Sequence, residues 1–272
     1  MRLFSALKTL FLAAVLSWLA ACSTQAPASV PVSAPASVVS ALAPTGKLRA
    51  AINYGNPLLA NKDAATGAPI GVSVDLAQEL ARRLDVPLEI LTFNAAGKVA
   101  EAIAADSVDI AFYAIDPKRA EDSLFSGPYV IIEGAYLVRQ DSPIHSNEEV
   151  DRRGNRVVVG LGSAYDLYLS RELKQAELVR APASPLVADV FLQQGLEVAA
   201  GVKQQMQADA KRLPGLRLLD GRFMEIRQAM AIPQSRQAAH AYLNDFVEEM
   251  KRSGFVSQAL ARHHIEGAQS IP

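Results

Sequence analysis

The chain has very little cysteine and histidine, which limits the chemistry it can support. Its only cysteine among 272 residues is Cys22, so no intrachain disulfide can form. The four histidines show no spacing typical of metal ligands, and the adjacent pair His263 and His264 would point apart on a helix. We therefore predict no metal site and no bound cofactor.

The motifs of several common enzyme classes are also missing. The sequence contains no Gly-x-Ser-x-Gly elbow, no P-loop, no complete dinucleotide fingerprint and no cysteine–histidine pair. The formal net charge of −1 provides no basic field for nucleic acid. We predict no nucleic-acid partner.

The N-terminal segment has the features of an export signal. Arg2 and Lys8 make its start positive, and residues 10–19 form an apolar run that is short for a membrane span. The run ends in Leu-Ala-Ala-Cys, which resembles the lipobox of bacterial lipoproteins, where the cysteine is lipidated and becomes the mature N-terminus. We expect residues 1–21 to be a lipoprotein signal peptide and Cys22 to carry a lipid anchor. The alternative is an ordinary secretory signal with an incidental cysteine.

Residues 22–44 are predicted to form a flexible tether. They consist mainly of alanine, serine, proline, valine and threonine, with almost no charge. Such a composition buries too little apolar surface to order itself. The residues beyond it suffice for one large or two small domains with a sizeable core.

After the tether, strand and helix patterns alternate along the chain. Residues 46–54 are strand-like, residues 71–84 place apolar side chains at helical spacing, residues 87–93 are strand-like, residues 98–105 are helical, and residues 108–113 form an apolar strand. This order with short connections predicts a parallel sheet covered by helices.

Two long extended segments flank a second set of strands and helices. The extended segments are residues 129–138 and 228–233, and strands alternate with helices between residues 156 and 212. The pattern predicts an α/β fold of two lobes, each a mostly parallel sheet covered by helices, joined by two hinge strands. The predicted bounds are residues 46–130 and 228–270 for lobe 1 and residues 131–227 for lobe 2.

Four stretches of the sequence carry a family resemblance. They begin at Gly71 (Gly-Val-Ser-Val-Asp-Leu-Ala-Gln-Glu-Leu), at Val108 (Val-Asp-Ile-Ala-Phe), at Arg119, in a segment ending Phe-Ser-Gly-Pro-Tyr, and at Met250 (Met-Lys-Arg-Ser-Gly-Phe). Their order and spacing resemble type II periplasmic solute-binding proteins of the polar amino-acid family, also called bacterial extracellular solute-binding protein family 3. The first stretch has valine where the family has an aromatic residue. The resemblance spans residues 46–264 and implies a two-lobed periplasmic binding protein-like fold.

Arg119 follows the strand at residues 108–113 after a short loop. Open α/β sheets bind ligands in the crevice outside the carboxyl ends of their strands. In the family an arginine at this place binds the α-carboxylate of the ligand in a bidentate manner, since the planar guanidinium pairs with both oxygens at once. The resemblance implies this role for Arg119. The alternative is a surface ion pair with Glu121 or Asp122.

Residues 160–165, Gly-Leu-Gly-Ser-Ala-Tyr, form the corresponding turn of lobe 2. They read as the end of a strand, a glycine turn and the start of a helix, whose unpaired N–H groups favour an anion. Ser163 is either the cap of this helix or a ligand contact. The resemblance implies that this turn, with Gly162 and Ala164, closes onto the ligand carboxylate.

Three positions depart from the family pattern. Lys203 stands where the family has an aspartate that grips the ligand's ammonium, and a lysine there would repel an ammonium and attract a second carboxylate. Ala114 stands where relatives often have a ligand-binding serine. Asp116 precedes Pro117, where many relatives have a threonine and an available N–H. Asp116 either caps a helix beginning at Pro117 or binds a cationic group of the ligand.

Three further residues complete the candidate site. Asn53 and Tyr54 lie on the loop after the first strand, where the family places a side wall and often an aromatic ring, although both also suit an ordinary turn. Phe112 alternates with Tyr113, so one of the two faces the core and the other the cleft. We include Phe112.

The sequence thus predicts an exported, periplasmic, monomeric receptor held at the membrane through Cys22. It would capture a small anionic or zwitterionic solute that bears a carboxylate and deliver it to the membrane subunits of an ABC importer. Closure would trap the ligand between Arg119 and the Ser163 turn with Lys203. We expect no enzymatic activity. The alternatives are an enzyme resembling cyclohexadienyl dehydratase, with Glu133 or Asp116 as its acid, or a sensory ligand-binding module.

Overall fold

The described part of the chain is an α/β fold built on one main sheet. The computed structural model describes residues 34–270. The predicted signal peptide, Cys22 and the first part of the predicted tether lie outside the described residues. Across the range that is described, no helix has both the length and the apolar character that crossing a membrane requires.

The strands are β1 (Leu48–Asn53), β2 (Asn61–Lys62), β3 (Pro69–Ile70), β4 (Leu88–Phe93), β5 (Ile110–Ala114), β6 (Ser123–Arg139), β7 (Arg156–Gly160), β8 (Glu177–Ala181), β9 (Val198–Val202), β10 (Leu216–Leu218), β11 (Met224–Pro233) and β12 (Gln269–Ser270). The helices are α1 (Ala36–Leu42), α2 (Val72–Leu84), α3 (Ala96–Ala104), α4 (Ala164–Glu172), α5 (Val187–Gln193), α6 (Lys203–Arg212), α7 (His240–Arg252) and α8 (Phe255–Arg262). Short 3₁₀ turns occupy Arg119–Glu121, Asn147–Glu149, Ser184–Leu186 and Gln234–Ala239.

The main sheet has the order β4-β1-β5-β11-β6-β9-β7-β8, with β10 and β12 also paired to β6. β1 is parallel to β4 and β5, and β7 is parallel to β8 and β9. β11 is antiparallel to β5 and β6, and β6 is antiparallel to β9. Each half of the sheet is therefore mostly parallel, and β6 and β11 cross between the halves. The predicted two-lobed α/β fold is confirmed.

The crossing strands carry an irregularity close to the predicted lobe boundary. β6 and β11 pair from Gly134 opposite Met224 to Ser123 opposite Pro233, but the register shifts on either side of Ala229. Such bulges bend a strand pair locally. We propose that this bend divides lobe 1 from lobe 2 at the predicted bounds.

Local sequence explains how α2 packs onto lobe 1. Val72, Leu76 and Leu80 are fully buried and recur every four residues, so they lie along one face of the helix. The helix ends where Asp85 adopts a left-handed conformation with φ of 54°. In β5 every residue is buried, as expected for a strand covered on both faces.

The tether prediction is wrong for its last part. Residues 36–42 form α1, which buries Val38 and Leu42 in the core. Arg236 also donates a hydrogen bond from Nη1 to the carbonyl of Ala41 at 2.9 Å. Val38 and Leu42 are four residues apart and share a helix face, a spacing that composition alone does not reveal. Residues 36–42 therefore belong to the folded core.

Leu42→Ala is expected to lower the free energy of unfolding by about 2 to 4 kcal/mol, because Leu42 is fully buried. Urea denaturation measures the change. Ser40→Ala, on the exposed face of the same helix, should change stability by less than about 0.5 kcal/mol. Equal, small losses in both variants would show that α1 does not belong to the core.

Candidate functional site

Arg119 is a buried cation whose side chain donates hydrogen bonds only to backbone carbonyls. The residue is 4% exposed. Its Nη1 donates to the carbonyl of Ala114 at 2.7 Å, and its Nη2 donates to the carbonyl of Gly162, across the cleft, at 2.8 Å. Nε has no hydrogen-bond partner within residues 34–270. The alternative of a surface ion pair is not realised, since Glu121 pairs with Lys118.

The surroundings of Arg119 keep its charge but leave that charge without an anion. The guanidinium carbon lies 4.8 Å from the centroid of the Tyr113 ring, within cation–π range. Burial lowers the pKa of Arg119 to about 10, so the side chain stays protonated at neutral pH. A buried charge without a counter-ion is costly. A ligand carboxylate would remove that cost.

Arg119 lines a small cavity between the two halves of the sheet, which we call the cleft cavity. Its volume is about 30 Å³, room for only a few water molecules. Its walls are Asn53, Gly55, Asn56, Ala96, Tyr113, Ala114, Arg119, Ser163, Ala164, Tyr165, Ser184, Val202, Ile226 and Gln228. The lobes are closed in this structure.

The turn before α4 presents helix donors to the cleft cavity. The Ser163 hydroxyl accepts from the Asp166 N–H at 3.0 Å and so caps the helix, as one of the two alternatives predicted. The Gly162 N–H donates to the Asp166 carboxylate at 2.8 Å. The N–H groups of Ala164 and Tyr165 remain without an acceptor from the helix, because the first N–H groups of a helix have no carbonyl partner within it.

The lobes touch at Gly162. This residue has a φ of 68°, and a Cβ placed on it would lie 2.7 Å from the Cα of Gly97 in α3. Because the obstacle is backbone, no side chain fits here without separating the two lobes. The Arg119 to Gly162 hydrogen bond spans the same contact.

Asp116 joins the lobes outside the cleft cavity. Its Oδ1 accepts from the Lys118 N–H at 2.8 Å, and its Oδ2 pairs with Arg171 Nη2 of α4 at 2.8 Å. The helix expected to begin at Pro117 is absent, because the Asp116 turn leads into the 3₁₀ turn at Arg119–Glu121. Both carboxylate oxygens of Asp116 are therefore engaged, one by the Lys118 N–H and the other by Arg171.

Arg171→Ala is expected to weaken binding of any cleft ligand about threefold to tenfold, because it removes an ion pair that joins the two lobes. Isothermal titration of both proteins measures this. Arg152→Ala removes an ion pair with Glu149 within lobe 2 and should leave affinity unchanged. Equal affinities of Arg171→Ala and the parent protein would show that the Asp116 pair does not support closure.

Besides Asp116 and Gly162, three predicted site residues do not line the cleft cavity. Phe112 is 2% exposed and packs in the core against Tyr129, while Tyr113 takes the cleft side of the strand. Tyr54 is half-buried beside Lys62. Lys203 Nζ lies 2.7 Å from Glu133 Oε2, because the pairing of Gly134 with Val202 sets these two side chains opposite each other.

Sequence reasoning missed several residues of the cleft cavity. Gln228 and Ile226 come from the crossing strand β11, and Ser184 follows β8. Ser184 lies just beyond the carboxyl end of its strand, so the crevice rule could have indicated it. Tyr165 is 3% exposed, and burial raises its pKa to about 12, which keeps its hydroxyl neutral.

No carboxylate, histidine, cysteine or lysine of the described chain lines the cleft cavity. Glu133 is engaged by Lys203, whose hydrogen bond lowers the pKa of that carboxyl, and by Arg222. Asp116 is engaged by Arg171. Within residues 34–270 no group of three or more histidine, cysteine, aspartate or glutamate side chains is arranged to hold a metal ion.

Comparison with known proteins identifies the family. The family described as bacterial extracellular solute-binding proteins, family 3, matches residues 48–265. The chain belongs to this family. No curated protein matches this member of the family.

Solved structures of similar fold cover most of this solute-binding protein. The solute receptor for L-cysteine of Neisseria gonorrhoeae is 20% identical, with a TM-score of 0.73 over 84% of this chain and 94% of its own. A mutant of ArgBP from T. maritima is 21% identical, with a TM-score of 0.71 over 84% and 100%. The ancestral amino acid-binding protein AncCDT-1, a precursor of cyclohexadienyl dehydratase, is 21% identical, with a TM-score of 0.68 over 82% and 98%. At these identities the likeness shows the fold.

Proposed function

We propose that this solute-binding protein is an exported receptor that captures a small carboxylate-bearing solute, an amino-acid derivative or an organic acid, by closing its lobes. The observation that supports this most strongly is Arg119, a charge that is 4% exposed, lies at the interlobe cleft and hydrogen-bonds to backbone carbonyls but to no carboxylate of the described residues. A ligand carboxylate supplies the missing anion.

The N–H groups of Arg119 are arranged to donate to a carboxylate along one edge of the guanidinium. Nε is without a partner, and Nη2 is held by the carbonyl of Gly162. Nε and Nη2 form one edge of the guanidinium, the edge that Arg49 uses to bind Asp109 at 3.0 and 2.7 Å in this same protein. A ligand carboxylate that displaces the Gly162 carbonyl would bind both donors, while Nη1 stays on Ala114.

The ligand also has helix donors within reach on the other lobe. The N–H groups of Ala164 and Tyr165, at the start of α4, favour an anion in the cleft cavity. Contacts made to both lobes at once favour the closed form and shift the population toward it. Closure is the signal that an ABC importer would recognise.

The chemistry around Lys203 changes the expected ligand class. Lys203 is neutralised by Glu133, so its charge no longer favours a second carboxylate on the ligand. The similar structures include an L-cysteine receptor and an ancestral amino acid-binding protein. We therefore favour amino-acid derivatives over dicarboxylates. Export and a lipid anchor on Cys22 are part of this proposal, supported by the lipobox-like sequence.

A thermal-shift screen tests the proposal. The soluble protein should begin at residue 23 so that α1 is kept, and it is screened against amino acids, dicarboxylates, aromatic acids and amines. A ligand present at about 100 times its Kd stabilises the native state by about 2.7 kcal/mol. We expect carboxylates to raise the melting temperature and amines without a carboxylate to leave it unchanged. Stabilisation by such amines would overturn the proposal.

A further inference from the structure

Three cavities lie side by side along the interlobe cleft. A middle cavity of about 200 Å³ shares Asn56 and Val202 with the cleft cavity. It shares Leu58 and Gln204 with an outer cavity of about 530 Å³. Both added cavities have walls from the loop after β1 and from the start of α6. The shared walls thus place the three cavities next to one another, from Arg119 toward α6.

The neighbouring cavities matter because the cleft cavity alone is too small for a metabolite. Its volume of about 30 Å³ has room for only a few water molecules, whereas ligand sites occupy roughly 300 to 1,000 Å³. A ligand whose carboxylate binds Arg119 must place most of its atoms in the middle and outer cavities.

Two buried oxygens without partners stand where the cavities join. Within residues 34–270, Asn56 Oδ1 and Gln204 Oε1 are shielded from water and accept no hydrogen bond. Asn56 lines both the cleft cavity and the middle cavity, and Gln204 lines both the middle cavity and the outer one. An amide oxygen can only accept, so each needs a donor, and N–H groups of a ligand in these cavities would supply it.

The C-terminal segment fixes the orientation of Gln204. Gln204 Nε2 donates to the carbonyl of Glu266 at 3.3 Å, so Oε1 is the end left without a partner. Gly267 has a φ of 70°, and a Cβ there would lie 2.6 Å from Gln204 Nε2. The segment thus passes close to Gln204 and forms a wall of the outer cavity.

The outer cavity is lined by charges of both signs. Lys203 is paired with Glu133, but Lys211 and Glu266 form no ion pair within the described chain. Glu266, whose backbone carbonyl accepts from Gln204, carries the carboxylate that would favour a cationic group at this end of the ligand.

We propose that the cleft binds an elongated, amide-linked amino-acid conjugate with a free carboxylate, of which a dipeptide is the simplest. This rests on the proposed function and names its ligand class. The carboxylate binds Arg119, the amide N–H donates to Asn56 Oδ1, and the terminal ammonium donates to Gln204 Oε1 near Glu266.

Isothermal titration with three probes tests this. Alanine has a carboxylate and an ammonium but no amide, N-acetylalanine has a carboxylate and an amide but no ammonium, and Ala-Ala has all three groups. We expect the protein to bind Ala-Ala about tenfold or more tightly than either other probe. Equal affinity for alanine and Ala-Ala, or no binding of Ala-Ala, overturns the inference.

Substitutions test which residues cause the preference for Ala-Ala over the other two probes. Gln204→Met keeps the side-chain length but removes the acceptor, and it should reduce the ratio of Ala-Ala to alanine affinity about tenfold. Glu266→Gln should reduce the ratio of Ala-Ala to N-acetylalanine affinity about threefold, since Glu266 is exposed. Gln193→Met, on the exposed face of α5, is the matched control for Gln204→Met. Equal ratios in Gln204→Met and Gln193→Met contradict the assignment.

Arg119→Met separates this inference from the proposed function. If it weakens all three probes while the parent protein binds alanine and Ala-Ala equally, the receptor proposal stands and only the extended site is overturned. If Ala-Ala binds Arg119→Met as tightly as the parent protein, the carboxylate site itself is wrong.

Discussion

Arg119→Met is expected to weaken binding of carboxylate ligands about a hundredfold, with the ligand-free fold intact. A bidentate, charge-assisted contact in a water-poor cleft is among the strongest polar contacts, and methionine retains only the packing of the side chain. Ligand-free stability should change by less than about 1 kcal/mol, because the variant also removes an unpaired buried charge. Titration calorimetry and urea denaturation measure the two effects.

Two control variants define what Arg119 provides. Arg119→Lys keeps the charge but loses the planar fork, so we expect an intermediate loss of about tenfold. Arg156→Met removes an arginine that forks onto Glu197 at the start of β7, away from the cleft, and should leave ligand affinity unchanged. Parent-like affinity in Arg119→Met would refute the carboxylate site.

Gly162→Ala should prevent full closure of the lobes and weaken ligand binding about thirtyfold or more. The new Cβ would lie 2.7 Å from the Cα and 3.1 Å from the N of Gly97, and neither backbone atom can rotate away. The lobes must separate to relieve this contact, which removes the closed state that contacts the ligand from both sides. Small-angle X-ray scattering should show a larger radius of gyration with ligand present than for the parent protein.

Gly154→Ala is the matched control for this effect. Gly154 also lies in lobe 2 and has a φ of 95°, but a Cβ there meets no atom within 4 Å. It therefore carries the cost of a side chain at positive φ, about 1 kcal/mol, without the clash between lobes. If Gly162→Ala and Gly154→Ala bound ligand equally well, closure at Gly97 would not be required for binding.

Local patterns were sufficient to predict most of the fold. The strand predicted over residues 87–93 and the helix predicted over residues 71–84 agree within one residue with β4 and α2, because each has a clear local pattern that ends at turn residues. The elements not predicted are those whose stability comes from distant contacts. Two-residue β12 exists because it pairs with β6 at the crossing, and α1 exists because it packs beside Arg236. Composition and periodicity carry no information about such partners.

The candidate site was predicted in part, for a related physical reason. Sequence reasoning placed Arg119, Asn53, Ala114, Ser163 and Ala164 together, and the structure brings all five to the cleft cavity. The direction of Lys203 depends instead on its cross-strand neighbour Glu133, which lies 70 residues away. Knowledge of the register between β6 and β9 would have been needed to predict it.

The most direct test of the carboxylate site is a double-mutant cycle between Arg119 and the ligand. The acid that binds best in the screen and its carboxamide are each titrated into the parent protein and into Arg119→Met. If the carboxylate contacts Arg119, changing it to an amide costs about tenfold or more in the parent protein and less than about twofold in the variant. The same cost in both proteins would show that the carboxylate binds elsewhere.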